Sequence, residues 1–249
     1  MDLILYLIIF IYGIVIGSFL NVLIYRIPKH EDFVTTRSHC MSCGYQLKWY
    51  DLVPVASYVV LGGKCRNCHT KLSLQYPMIE CLNGLIYVLI FLRYGLSTTS
   101  VLYALTASVL ITLSVIDFQT FEIPVGFNIL IALFGLVHLA LDYQNSTTYL
   151  IGAVSVSGFI GILILATKGR GMGGGDLKLM AAVGLLLGWK LAILAFFLGC
   201  VFGSILHIMR MKITKADHVL AFGPYLSMGI LVSMLYGEQL IELYIRTML

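Results

Sequence analysis

Apolar residues fill this chain in long blocks, and short polar stretches punctuate them. Runs close to the roughly 20 residues that cross a bilayer as a helix lie at about 3–25, 78–94, 99–116, 124–141, 149–167, 177–188, 191–209 and 220–245. They predict an all-α polytopic membrane protein with about eight transmembrane helices. The sixth run is short, and a glycine-rich stretch leads into it. One connection stands apart in length: residues 28–76 hold most of the polar sequence, and every other connection is about a dozen residues or shorter. The pattern divides the chain into transmembrane helix 1 (1–27), an inserted polar domain (28–76) and a seven-helix membrane core (77–249). The first run lacks a basic leading region and a small-residue cleavage site, so it reads as a retained span.

Composition strengthens this picture. Hydrophobic residues make up 59% of the chain and charged residues 11%, against a charged share of roughly 25% in soluble domains. The basic residues are unevenly placed. Seven between Arg26 and Lys71, then Lys168, Arg170 and Lys178, then Arg210, Lys212 and Lys215, fall on one side of the membrane if the spans alternate. Only Arg93, Lys190 and Arg246 fall on the other. The basic side is the cytoplasmic one, so the polar domain faces the cytosol and both termini face outward. The net charge of +4 reflects this asymmetry. No basic stripe with interleaved aromatics points to nucleic acid.

The polar domain carries C-x-x-C twice, at Cys40–Cys43 and Cys65–Cys68, with 21 residues between the pairs. Each x-x turn lets two sulfurs reach one ion, and two such knuckles complete a tetrahedral zinc site. Two structural disulfides are the alternative. A cytosolic loop stays reduced, which favours zinc, and a segment this small needs a staple to fold. His39 and His69 adjoin the pairs as substitute ligands. Cys81 and Cys200 lie in or beside apolar runs and read as packing residues.

Two acids sit where spans meet loops: Asp117 in SVIDFQTFEIP and Asp176 in GMGGGDLKLMAAVG. An ionisable group near bilayer depth is expensive and by default marks function. Span three runs inward to end at Asp117 and span six starts beside Asp176, so both acids fall on the cytoplasmic face. Asp117 stands at the C-terminal end of its helix, where the dipole disfavours negative charge. Glu122 is a rival acid in the following loop. Gly169-x-Gly171-x-x-Gly174 has dinucleotide-motif spacing, but a membrane span precedes it where a strand is required. Glycines without Cβ let backbone approach a partner closely, which would bring Asp176 towards the acid opposite; an inert linker is the alternative. Gly13/Gly17, Gly184/Gly188 and Gly199/Gly203 have the GxxxG spacing of close helix packing, and His138 and His207 read as packed or hydrogen-bonded residues.

At these residues the chain resembles the type IV prepilin peptidases, membrane aspartyl proteases with a GxGD motif. GSFLNVLIYRIP (17–28) is similar to the family's first span; the two C-x-x-C pairs, DLVPVASYVVLGGKCRNC (51–68) and YPMIE (76–80) to its cytoplasmic domain. Asp117 followed by Ile123-Pro124 matches its first catalytic site, Gly173-Gly174-Gly175-Asp176 with Leu177-Lys178 its second, and AFGPYL (221–226) its last-span motif. Gln75 departs from the pattern, where arginine is common. The resemblance implies a bacterial cytoplasmic (inner) membrane enzyme that removes the basic leader from prepilins or pseudopilins on the cytoplasmic side, with Asp117 and Asp176 catalytic. It further implies N-methylation of the new amino terminus with S-adenosylmethionine. No motif marks the methyl-donor site, for which Glu80 and Asn83 are contributors to consider. The zinc is expected to be structural.

Three other readings compete. A transporter could use the acid pair to couple protons or cations, giving flux in vesicles and no peptide cleavage. A metal-dependent adaptor would tolerate both Asp→Asn changes. A different GxGD intramembrane protease would cut within a substrate helix, and the cytoplasmic Cys domain speaks against it.

Overall fold

A computed structural model describes residues 2–169, 171–214 and 220–248; Arg170 and Lys215, counted above for topology, lie outside them. Most of the described residues are helical. Nine α-helices follow in order: α1 (Asp2–Arg26), the short α2 (Ala56–Val60), α3 (Gln75–Tyr94), α4 (Thr98–Thr120), α5 (Val125–Leu141), α6 (Ser146–Ala166), α7 (Gly174–Leu187), α8 (Trp189–Thr214) and α9 (Gly223–Met248). Eight of them coincide with the eight apolar runs. Among the described residues six are long and apolar enough to cross a membrane, α5 being a shorter apolar helix and α7 having 14 residues. No strand forms among the described residues, only two isolated antiparallel bridges, His39 with Gln46 and Lys64 with Lys71.

The chain folds as two compact units, one up to Ser100 and one from Val101 onward. In the first, α1 and α3 lie backbone against backbone. A Cβ on Gly13 would stand 2.7 Å from Gly84 Cα, and one on Gly17 would stand 2.7 Å from Glu80 Cα. Two glycines one turn apart therefore let the helices touch, and polar groups lock the seam: Asn83 donates to Gly13 O at 2.7 Å and Asn21 to Tyr76 O at 3.2 Å. Lipid offers no hydrophobic drive between helices, so such small-residue seams and side-chain bonds supply the association.

The second unit holds most of α4 together with α5 to α9. In its most apolar stretch 72% of α4 is buried, against 22% for α6 and α8. Its hydroxyl residues satisfy themselves without water. Thr106, Ser108 and Thr112 are buried and each donates to the carbonyl four residues back. At the α6–α7 crossing, a Cβ on Gly184 would fall 2.0 Å from Gly152 O. The outward faces of α1, α6 and α8 expose Leu7, Ile11, Val154, Ile162 and Phe197, the apolar surface that lipid covers.

Candidate active site and metal centre

Asp117 occupies the last turn of α4 and is buried, 5% exposed. Its Oδ2 accepts the backbone N–H of Gly223 at 2.8 Å. Gly223 is the first residue of α9, where N–H groups have no partner within the helix. The positive end of α9 thus meets a carboxyl that the end of α4 leaves poorly placed. The approach depends on glycine, because a Cβ at position 223 would lie 2.7 Å from Asp117 Oδ2.

Asp176 is the third residue of α7 and is 7% exposed. Its Oδ2 accepts the N–H of Gly173, the residue just before the helix, at 3.3 Å. An acid at this position caps its own helix start. The helix therefore begins at Gly174, three residues before the run predicted from 177. Of the three motif glycines, Gly175 is the most tightly packed: its Cβ would meet Ile123 Cβ at 3.1 Å, one on Gly173 would meet Asp176 Oδ2 at 3.4 Å, and nothing lies within 4 Å of Gly174. Lys178 is exposed one turn later.

Both acids line one cavity of about 450 Å³, walled by the α4–α5 connection, the start of α7 and residues 220–222 ahead of α9. Glu122 also lines this cavity but is exposed, a third carboxyl at its rim. The loops entering the cavity are those that the basic residues assigned to one face. His138 is no ligand here: its ring stacks edge-on to Tyr149 at 5.2 Å and near Tyr103 at 6.1 Å.

In the first unit the four predicted cysteines meet. The sulfurs of Cys40, Cys43, Cys65 and Cys68 all lie within 4.8 Å of one another and could hold a metal ion. None of the six cysteines forms a disulfide. The two knuckles repeat one design. Cys40 N–H donates to Tyr45 O and Gly44 N–H to Cys40 O; Cys65 N–H donates to Thr70 O and His69 N–H to Cys65 O. The residue after each second cysteine is left-handed, Gly44 at φ 70° and His69 at φ 55°, so His69 serves as a turn residue outside the sulfur cluster. His39 sits with its Nδ1 near Arg37 O. The Thr70 hydroxyl and amide beside Cys68 pull its thiol down to about 6, towards the thiolate that binds metals.

Two polar anchors hold this loop. Asp51, its side chain 2% exposed, pairs with Arg66 Nε at 2.7 Å and accepts Lys48 N–H at 3.2 Å. Burial pushes the Asp51 carboxyl up, but Arg66 and the Lys48 amide outweigh it and hold the group below its usual range. Arg26, counted above only as a topological charge, is buried; its guanidinium donates to the carbonyls of Asp32, Thr36 and Arg37 at 3.0, 2.8 and 3.3 Å. An arginine at the end of an apolar run is the only signal the sequence carries of this role.

Fold and site together define a multi-pass membrane protein with two buried aspartates on one cavity and a loop whose four clustered cysteines could hold a metal ion. Residues 11–94 match the bacterial peptidase A24 N-terminal domain and residues 104–208 the type IV leader peptidase family. The prepilin leader peptidase/N-methyltransferase of Bacillus subtilis is 30% identical over 243 residues, covering 96% of this chain and 97% of that protein. Proteins of the same name from Pseudomonas putida and Neisseria gonorrhoeae are each 31% identical, over 92% and 87% of this chain and 89% and 85% of their own lengths. The chain belongs to the type IV leader peptidase family. No solved structure matches it.

Proposed function

We propose that this protein is a membrane aspartyl endopeptidase that removes the leader from prepilins or pseudopilins and then N-methylates the new amino terminus. The observation that carries the reading is the convergence of Asp117 and Asp176, 59 residues apart in sequence, on one cavity with each carboxyl fixed by a backbone N–H. The relatives named prepilin leader peptidase/N-methyltransferase support the substrate and the second activity.

Paired carboxyls facing one cavity titrate as a unit and divide the work of hydrolysis. One, ionised, takes a proton from a water held between them; the other, protonated, hydrogen-bonds the scissile carbonyl. The water oxygen bonds to the carbonyl carbon, the amide nitrogen gains a proton, and the C–N bond breaks. No covalent enzyme intermediate forms. Residues 1–27 act as the first span, 28–76 as a cytoplasmic four-Cys domain and 77–249 as the protease core, with both termini outside.

Zinc is the ion proposed for Cys40, Cys43, Cys65 and Cys68. Four sulfurs at the ~2.3 Å bond length of a tetrahedral zinc site stand about 3.8 Å apart, and Cys40 Sγ to Cys68 Sγ is 3.8 Å. Four protein sulfurs leave no open position, so this zinc would stabilise the loop and activate no water. S-adenosylmethionine would supply the methyl group.

The test is conversion of a prepilin to its mature form by purified Asp117→Asn and Asp176→Asn proteins. Each is expected to lose about 10²–10⁴-fold in kcat. Full processing by either variant would sink the acid-pair mechanism.

A further inference from the structure

A second cavity, of about 310 Å³, opens in the first unit beneath the four-cysteine loop, in the size range of small-ligand sites. Ser18 and Asn21 of α1, Val55 and Tyr58 of the loop, and Tyr76 and Glu80 of α3 line it. The proposed hydrolysis uses none of them. Three features mark it as built for a ligand.

Glu80 is an acid on an apolar helix, 6% exposed and without a cationic partner among its contacts. The Val55 N–H holds its Oε2 at 2.7 Å. That N–H is aimed by a strained turn. Val55 adopts φ 60° and ψ −52°, and Ala56 N–H donates back across it to Pro54 O, a tight γ-turn that a β-branched residue rarely enters. Strain of this kind persists where the surroundings over-determine it and gathers at ligand clamps. Finally, Asn21 uses its amide nitrogen on Gly17 O and Tyr76 O, leaving Oδ1 buried with no partner. An orphaned acceptor on a cavity wall is costly unless a donor arrives.

Of the cations that line the cavity, Arg26 is spent on backbone carbonyls and Arg66 on Asp51, while Lys64 and Lys71 remain for an anionic group of the ligand. A buried carboxylate, a free amide oxygen and the rings of Tyr58 and Tyr76 form an acceptor-bearing, aromatic part of the lining. Such walls suit a cation with apolar substituents and hydrogen-bond donors, since ring faces and carboxylate both attract it. We infer that this cavity holds the methyl donor, with Glu80 and the two tyrosines around its sulfonium and Asn21 Oδ1 accepting one of its N–H or O–H groups. The inference rests on the methyltransferase half of the proposed function. In the transfer, the lone pair of the substrate's neutral amine forms the N–CH₃ bond. The S–CH₃ bond breaks with its electrons left on an uncharged sulfur, and the methylated ammonium releases one proton.

The decisive experiment measures binding as well as turnover, with the full chain in detergent. Equilibrium binding of tritiated S-adenosylmethionine should weaken at least ten-fold in Glu80→Gln. Binding of S-adenosylhomocysteine, whose sulfur is uncharged, should change less than three-fold, and prepilin cleavage should persist. An azido analogue of the donor, photolysed on the unaltered protein, should label peptides within residues 18–26 or 54–80. Labelling confined to residues 101–248, or donor binding unmoved by Glu80→Gln, overturns the inference. An unaltered protein that cleaves prepilin yet binds no donor overturns the methyltransferase reading itself.

Discussion

Replacing Gly223 by alanine tests whether the start of α9 positions Asp117. The added methyl would lie 2.7 Å from Asp117 Oδ2 and 3.0 Å from its Cγ, well inside contact distance for carbon and oxygen. Neither side yields easily: Asp117 is buried on α4, and Gly223 heads a 26-residue helix with its own backbone bonds. The carboxyl must move by about 0.5–1 Å or the 2.8 Å hydrogen bond must break. A buried hydrogen bond to a charged group contributes about 1.5–3 kcal/mol, and a 1 Å misplacement in a reacting pair can remove about 100-fold in rate. The two figures agree, since about 2.7 kcal/mol is 100-fold. Gly223→Ala is therefore expected to lower kcat for prepilin cleavage by about 10²-fold with KM little changed. The assay is the initial rate of leader release from a prepilin in detergent. Gly126→Ala is the control, because nothing lies within 4 Å of a Cβ there; it should cleave at the normal rate. A Gly223→Ala protein with unaltered kcat refutes the reasoning.

Other consequences follow from the same geometry. Cys65→Ser, which removes a buried sulfur of the cluster, should drop bound zinc well below one equivalent by elemental analysis and impair methylation more than cleavage. A protein that keeps its metal refutes the shared site. Asp51 titrates below its usual range because Arg66 and Lys48 N–H hold the charged form. Its contribution is therefore present above the unfolded value of about 3.9 and disappears as pH falls through the folded one; thermal melts at pH 3–5 should show less of this loss in Arg66→Gln, with no difference between pH 6 and 8. Gly184→Leu, which forces a side chain where a Cβ already falls 2.0 Å from Gly152 O, should destabilise by more than about 2 kcal/mol. Unchanged melting in detergent would count against the α6–α7 seam.

The eight apolar runs located every long helix, because span length and hydropathy are local properties. The start of α7 was less legible. Glycines at 173–175 suggest close backbone approach, with an inert linker as the alternative, and neither reading shows that Asp176 caps the helix it belongs to through Gly173 N–H. Cysteine spacing likewise foretold the cluster, since each knuckle closes within a few residues. What stayed hidden was non-local. The bond from Gly223 to Asp117 joins residues 106 apart, and nothing in AFGPYL announces an acid-binding N–H. Glu80 in YPMIE is one acid in an apolar run; its meaning depends on the γ-turn at Val55, 25 residues away, and VPV alone reads as extended chain.

The placement of Asp117 now has a physical account. An acid at the C-terminal end of a helix faces a dipole penalty of about 0.3–1 kcal/mol, and burial adds to it. The N–H of Gly223, worth about 1.5–3 kcal/mol to a charged acceptor, is large enough to offset the dipole. Asp176 reaches the same result with the donor preceding its own helix. Helix starts α7 and α9 thus both open on the cavity, and each lends an N–H to one acid. The acids are held by backbone donors, which do not themselves titrate. Each retains oxygen lone pairs for water and substrate. That is why glycine is required at 223, where a donor must come within hydrogen-bond distance of a carboxyl and any Cβ would stand in its place.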